Sequence, residues 1–192
     1  MGATTWHFVR HGESIANAEG WVAGHVDAHL TSAGVAQAEA LRPRLEGLAP
    51  GRVVASDLTR ALRTAELAWG RRAPAVEAHG ALRERHLGDW ERASIDALRA
   101  DGRMGVLYSW GGAPPAGESQ RMLARRVLRW LAAHDDGTDT LLFVHGGLIR
   151  CVVGLVDGTP PERIGLWKVK NTEWVQRTLP QGHWARLLEE LP

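Results

Sequence analysis

The sequence predicts an α/β sandwich built on a mostly parallel sheet. Short strand-like runs alternate with longer stretches of helical period, the signature of strand–helix–strand units. The run "TLLFV" at 140–144 is apolar throughout, as a central strand covered on both faces must be. A length of 192 residues suits one domain spanning 1–192, large enough to bury a substantial core.

Residues 5–9 read as the first buried strand. A helix is predicted over 31–46, with Thr31 as N-cap, Gly47 just past its end, and Ala38, Leu41, Leu45 and Leu48 as its apolar stripe. Pro43 should kink it or end it early. "RVVAS", 52–56, is a second strand, and Ser56 is read as the cap of a helix carrying Leu58, Ala61, Leu62, Ala65 and Trp69. Residues 71–80 read as a connection holding one short strand. Segment 91–117 reads as an excursion over a site, mobile across 101–117, where five glycines and two prolines gather. A long helix follows from "GESQRMLARRVLRWLAAH", then strand 140–144, a Gly-Gly turn and another helix. The end, 164–189, reads as one or two strands and a frayed tail.

Composition removes several function classes. A net charge of +1 with no basic block gives no nucleic-acid footprint. Cys151 is the only cysteine, so no internal disulfide forms, and its apolar setting "CVVGLV" reads as a buried, inert thiol. The N-terminus lacks the pattern of a signal peptide, and Trp6 breaks the myristoylation motif. No apolar run reaches membrane-spanning length. The expected location is therefore the cytoplasm, with no membrane partner.

Chemistry concentrates at strand ends, where ligands bind in such sheets. The first strand runs into Arg10-His11-Gly12, and the 52–56 strand leads into "SDLTRALRTA", with Arg60 in the first helical turn. Strand 140–144 ends in His145-Gly146-Gly147 before a helix. Two arginines, two histidines and the backbone N–H groups at Gly146 make an anion site, since helix N-termini favour negative charge and the guanidinium fork matches phosphate oxygens. A neutral imidazole is a competent nucleophile for a phosphoryl group, and a carboxylic acid is needed to protonate the leaving oxygen. "LRERHLGDWE", 82–91, offers Glu84, with Asp89 and Glu91 as competitors.

"RHGES" with Asn17, "LTSAG", "SDLTRALRTA", "RERHLGDWE", "GES" and "HGG", in this order, resemble the histidine phosphatase superfamily, the phosphoglycerate mutase-like proteins. The likeness covers roughly residues 5–150 and rests on several spaced motifs. It implies a three-layer α/β/α sandwich that needs no metal or other cofactor. It implies His11 as the nucleophile that becomes phosphohistidine, Arg10, Arg60 and His145 as a phosphate cage, Asn17 as a supporting donor, and Glu84 as proton donor. His29 departs from the family, whose members usually carry proline there.

Several assignments keep an alternative. Arg63 competes with Arg60, and Asn17 also suits a turn. The pairs His7/His11 and His25/His29 have helical spacing, but no third ligand with metal-like spacing accompanies either. Trp21, Trp90 and Trp110 lie near the pocket segments as candidates to line it. The function that fits best is a phosphomonoesterase acting on a small phosphorylated metabolite. A phosphoglycerate mutase is the alternative, and a non-catalytic phospho-ligand module is a third class. The short run between Glu91 and Gly117 favours hydrolysis, because mutases of this family typically carry a longer insertion there. The sequence leaves a homodimer open.

Overall fold

The computed structural model describes residues 2–191. Its sheet has five strands, β1 (Ala3–Arg10), β2 (Arg52–Ser56), β3 (Val76–His79), β4 (Thr140–Val144) and β5 (Trp174–Pro180), in the order β3-β2-β4-β1-β5. The first four run parallel, and β5 closes one edge antiparallel to β1. The helices, in chain order, are α1 (Ile15–Glu19), α2 (Ser32–Glu39), α3 (Arg42–Leu45), α4 (Thr59–Trp69), α5 (Ile95–Ala100), α6 (Met104–Tyr108), α7 (Gln120–Ala133), α8 (Gly146–Val156), α9 (Pro161–Ile164) and α10 (His183–Glu189).

Side chains alternate across the central strands, as the two-residue strand period requires. Trp6, Phe8, Val54, Leu142 and Val144 pack on one side with α7, α8 and Trp184 of α10. Val9, Val53, Ala55, Leu141 and Phe143 pack on the other with Leu41, Leu45, Ala65 and Trp69. Helices therefore cover both faces, and the three layers follow from strands that are apolar on both sides.

Pro43 acts as expected, and two local expectations change. The helix predicted over 31–46 is broken into α2 and α3, because Pro43 lies in the first turn of α3 and cannot donate to a continuous ladder. Ser56 does not cap α4. Its hydroxyl accepts from the Leu58 backbone N–H at 3.3 Å, while the Asp27 carboxylate takes the N–H and hydroxyl of Thr59, at 2.8 and 2.5 Å. The frayed tail is instead helix α10, held by Trp184, which is fully buried edge-on against Trp6 with ring centroids 5.5 Å apart. Trp184, Leu187 and Leu188 have the i, i+3, i+4 spacing that announces such a helix. Segment 91–117 folds into α5 and α6 around a small cluster of Leu87, Leu98 and Leu107.

Candidate active site

The register of the parallel pair β1/β4 sets Arg10 opposite Val144, so His11 and His145 leave the sheet side by side. Their ring centroids are 5.2 Å apart at an interplanar angle of 61°. His11 Nδ1 lies 2.7 Å from the Gly12 carbonyl oxygen. A carbonyl only accepts, so Nδ1 carries the proton and donates it, leaving the lone pair on Nε2. His145 has no solvent exposure, and neither of its ring nitrogens has a protein partner, a rare condition for a buried polar group. Burial, then the nearby Arg60, holds both imidazoles well below the ordinary histidine pKa of 6.5; Arg10 adds to this at both, and at His145 so does His11.

Arg60, 2% exposed, donates from Nη1 to the Val26 carbonyl at 3.0 Å and from Nη2 to that of Gly24 at 2.9 Å. Arg10 donates from Nη1 to the Val169 carbonyl at 2.7 Å. The α4 helix is tied to the end of β1 through Thr64, whose hydroxyl donates to the Arg60 carbonyl at 2.7 Å and accepts from the Gly12 N–H at 3.0 Å. The glycine of "LTSAG" has a steric reason. A Cβ on Gly34 would overlap the Glu13 carbonyl oxygen, and one on Gly12 would overlap the Gly34 carbonyl oxygen. Thr31 completes this junction by donating from its backbone N–H to the Glu13 carbonyl at 2.9 Å and from its hydroxyl to the Glu13 carboxylate at 2.7 Å.

Glu84 reaches the site from the loop after β3. Its carboxylate accepts the Gly147 N–H at 2.8 Å and the Arg85 N–H at 2.9 Å. Gly147 leaves room for it, since a Cβ there would collide with Glu84 Oε1 and lie 3.0 Å from its Cδ. Gly146 opens α8, with the side chain of Arg10 packed against it. Asn17 sits in the capping box of α1, where its amide oxygen accepts from the Ser14 N–H at 3.2 Å and from Asn171 Nδ2 at 3.1 Å. It is thus both a turn residue and, through its remaining N–H groups, an available donor.

A cavity of about 510 Å³ joins these groups, lined by Arg10, His11, Asn17, Arg60, Glu84 and Gly146, while His145 is fully buried beside His11 and does not line it. The competing residues lie elsewhere. Arg63 is exposed and pairs with Glu66 at 2.9 Å. Asp89 is exposed, and Glu91 Oε1 accepts the backbone N–H groups of His25 and Leu87 at 2.7 and 3.2 Å. Of the three tryptophans, Trp21 lines the cavity, Trp90 packs on the Leu98 cluster and Trp110 on the main core. His25 Nε2 lies 2.7 Å from the Glu84 carbonyl and His7 Nδ1 accepts from Trp174 Nε1 at 3.2 Å. Among the described residues no three His, Cys, Asp or Glu side chains are grouped to hold a metal ion.

The sequence reading missed the contribution of residues 168–171. Lys168, Val169 and Lys170 line the cavity, and Asn171 Nδ2 donates to the His11 carbonyl at 3.1 Å. Their one signal was compositional, since Lys168 and Lys170 are the only lysines in the chain.

Residues 6–189 match the family model of the histidine phosphatase superfamily (branch 1). The chain is 31% identical over 173 residues to the adenosylcobalamin/alpha-ribazole phosphatase of Escherichia coli (strain K12), covering 86% of this chain and 85% of that one. It is 35% identical over 172 residues to a protein of Photorhabdus laumondii named "Probable phosphoglycerate mutase GpmB", covering 86% and 80%. The solved mycobacterial glucosyl-3-phosphoglycerate phosphatase in complex with VO3 superposes with a TM-score of 0.81 at 29% identity, covering 90% of this chain and 92% of that one.

Proposed function

Since the chain belongs to the histidine phosphatase superfamily, we propose that it hydrolyses a small phosphomonoester through a phosphohistidine formed on His11. The observation that carries this is the pair of buried imidazoles at adjacent strand ends. One has its lone pair on Nε2, and the other has no partner, beside the half-buried Arg10 and the buried Arg60.

His11 Nε2 attacks phosphorus in line, and the bond to the ester oxygen breaks. Glu84, as the carboxylic acid, gives its proton to that leaving oxygen. Arg10, Arg60, Asn17, His145 and the N–H of Gly146 hold the phosphoryl oxygens, and a phosphoryl oxygen supplies His145 with the partner it otherwise lacks. Water then attacks phosphorus, the P–N bond breaks, Glu84 takes the water proton, and inorganic phosphate leaves. The neutrality of His11 matters, because a protonated imidazole has no lone pair to offer. The reaction runs on the chain's own groups and is expected to need no added metal, so a chelator should leave the rate unchanged.

The experiment is an acid-quench with a labelled aryl phosphate. Acid-labile phosphate should map to His11, and His11→Ala should lose both label and turnover. Label on His145 would overturn the assignment. The likeness to a phosphoglycerate mutase favours one other reading, transfer of the phosphoryl group to a bound monophosphate. The shortness of segment 91–117, which folds into two short helices rather than a long insertion, supports water as acceptor, and the ratio of free phosphate to transferred phosphate separates the two.

A further inference from the structure

The cavity holds more positive charge than one phosphoryl group requires. Arg10, Arg60, Arg85, Arg150, Lys168 and Lys170 line it against one carboxylate, Glu84. Among the described residues none of these six cations forms an ion pair with a carboxylate. The whole chain is nearly balanced, with 23 basic and 22 acidic residues. The rest of the molecule is therefore net negative, and these six cations raise the positive potential of the cavity.

Arg10 and Arg60 serve the end beside His11. The other four cations line the same cavity. Arg150 is one helical turn along α8 from Gly146, which sets its backbone about 6 Å farther from the strand ends. Arg85 is 7% exposed and donates from Nη2 to the Leu107 carbonyl at 2.9 Å, while its Nη1 has no partner. Arg150 Nε is likewise buried without a partner. Lys168 and Lys170 are exposed at the rim. Val22, Ile95, Met104 and Leu107 supply apolar wall to the same cavity. Buried guanidinium N–H groups without acceptors are costly, and an anion is the partner that satisfies both the charge and the hydrogen bonds.

We propose that Arg85, Arg150, Lys168 and Lys170 form a second anion subsite, which binds a carboxylate or phosphate carried by the leaving group of the phosphomonoester. The inference rests on the phosphatase reading and narrows its substrates to compact phosphomonoesters with a second anionic group a few bonds from the ester oxygen. The apolar wall then meets the intervening carbon skeleton.

The test compares kcat/KM for 3-phosphoglycerate with that for glycerol 3-phosphate, which differ in one carboxylate, and for fructose 1,6-bisphosphate with that for fructose 6-phosphate. Phosphate release is followed in wild type, Arg150→Gln and the double variant Lys168→Gln/Lys170→Gln. Wild type should favour the more anionic member of at least one pair by about tenfold or more. Arg150→Gln should bring that ratio close to one, and the lysine variant should lower it several-fold with an effect that shrinks as salt is raised. The lysines are exposed, so their variant decides the matter if Arg150→Gln does not fold. A wild-type ratio of one in both pairs, or a ratio that survives in the variants, overturns the second subsite and leaves hydrolysis standing. Failure of the wild type to release phosphate from an aryl phosphate overturns the phosphatase reading and this inference with it.

Discussion

Replacing Gly147 by alanine should separate catalysis from stability in a single methyl group. The added Cβ would collide with Glu84 Oε1 and sit 3.0 and 3.1 Å from Cδ and Oε2, so the carboxylate must leave its seat on the Gly147 N–H. The group that gives way is the end of a flexible side chain, not backbone, and Gly147 is the second residue of helix α8. Alanine restricts the unfolded backbone more than glycine does, by up to about 1 kcal/mol, so the melting temperature should hold. On the proposed mechanism a displaced Glu84 no longer protonates the leaving oxygen, and general-acid help of this kind is worth about 10²–10⁴-fold. Only substrates with poor leaving groups need that proton. The assay is kcat/KM for an alkyl phosphate and for nitrophenyl phosphate, in wild type, Gly147→Ala and Glu84→Gln. The alkyl ester should lose at least about a hundredfold in both variants, and the aryl ester far less. Equal losses with both esters would mean that the methyl group obstructs the phosphate itself. No loss with either would remove Glu84 from the proton-transfer role.

Arg60→Ala should weaken inorganic phosphate as a competitive inhibitor by roughly ten- to a hundredfold, the value of a charge-assisted contact, while Arg63→Ala should not, because its side chain is exposed and paired with Glu66. Inhibition constants for the two variants check this. Gly34→Ala should cost about 1–3 kcal/mol or more in a urea titration, since its Cβ would overlap the Glu13 backbone, which cannot swing away as a side chain can. An undiminished midpoint would show that the Gly12–Gly34 junction is loose. Stability should also fall on acidification. The unfolded chain takes up protons as pH drops below 6.5, whereas buried His11 and His145, with pKa values pushed well below that, do not. Stability is therefore full above 6.5 and is lost downward toward the depressed values, at about 1.4 kcal/mol per pH unit for each histidine. Urea midpoints for wild type and His145→Asn at neutral and mildly acidic pH should show the shallower slope in the variant, and identical slopes would refute the neutral, buried His145.

The sequence by itself determined the alternation of strands and helices, the apolar character of "TLLFV", the break at Pro43 and the strand-end placement of Arg10, His11, His145 and Gly146. These are local properties, written in period, in backbone restriction and in the residue types that follow each strand. By motif position it also favoured Glu84 over Asp89 and Glu91 as the expected acid, and Arg60 over Arg63 as the helical cation. The physical reason for each placement lies in the tertiary structure. Arg60 faces the cavity and Arg63 the solvent because of how α4 seats on the sheet through Ala61, Ala65 and Trp69, and a helix does not announce its rotation in detail. Glu84 reaches the site because a glycine on α8, far along the chain, leaves it space. Register between β1 and β4 puts the two histidines together, and the antiparallel return of β5 carries Lys168, Lys170 and Asn171 to their side. Strand pairing is a long-range choice set by packing across the whole sheet, and for that reason no motif in the last forty residues foretold what they bring to the cavity.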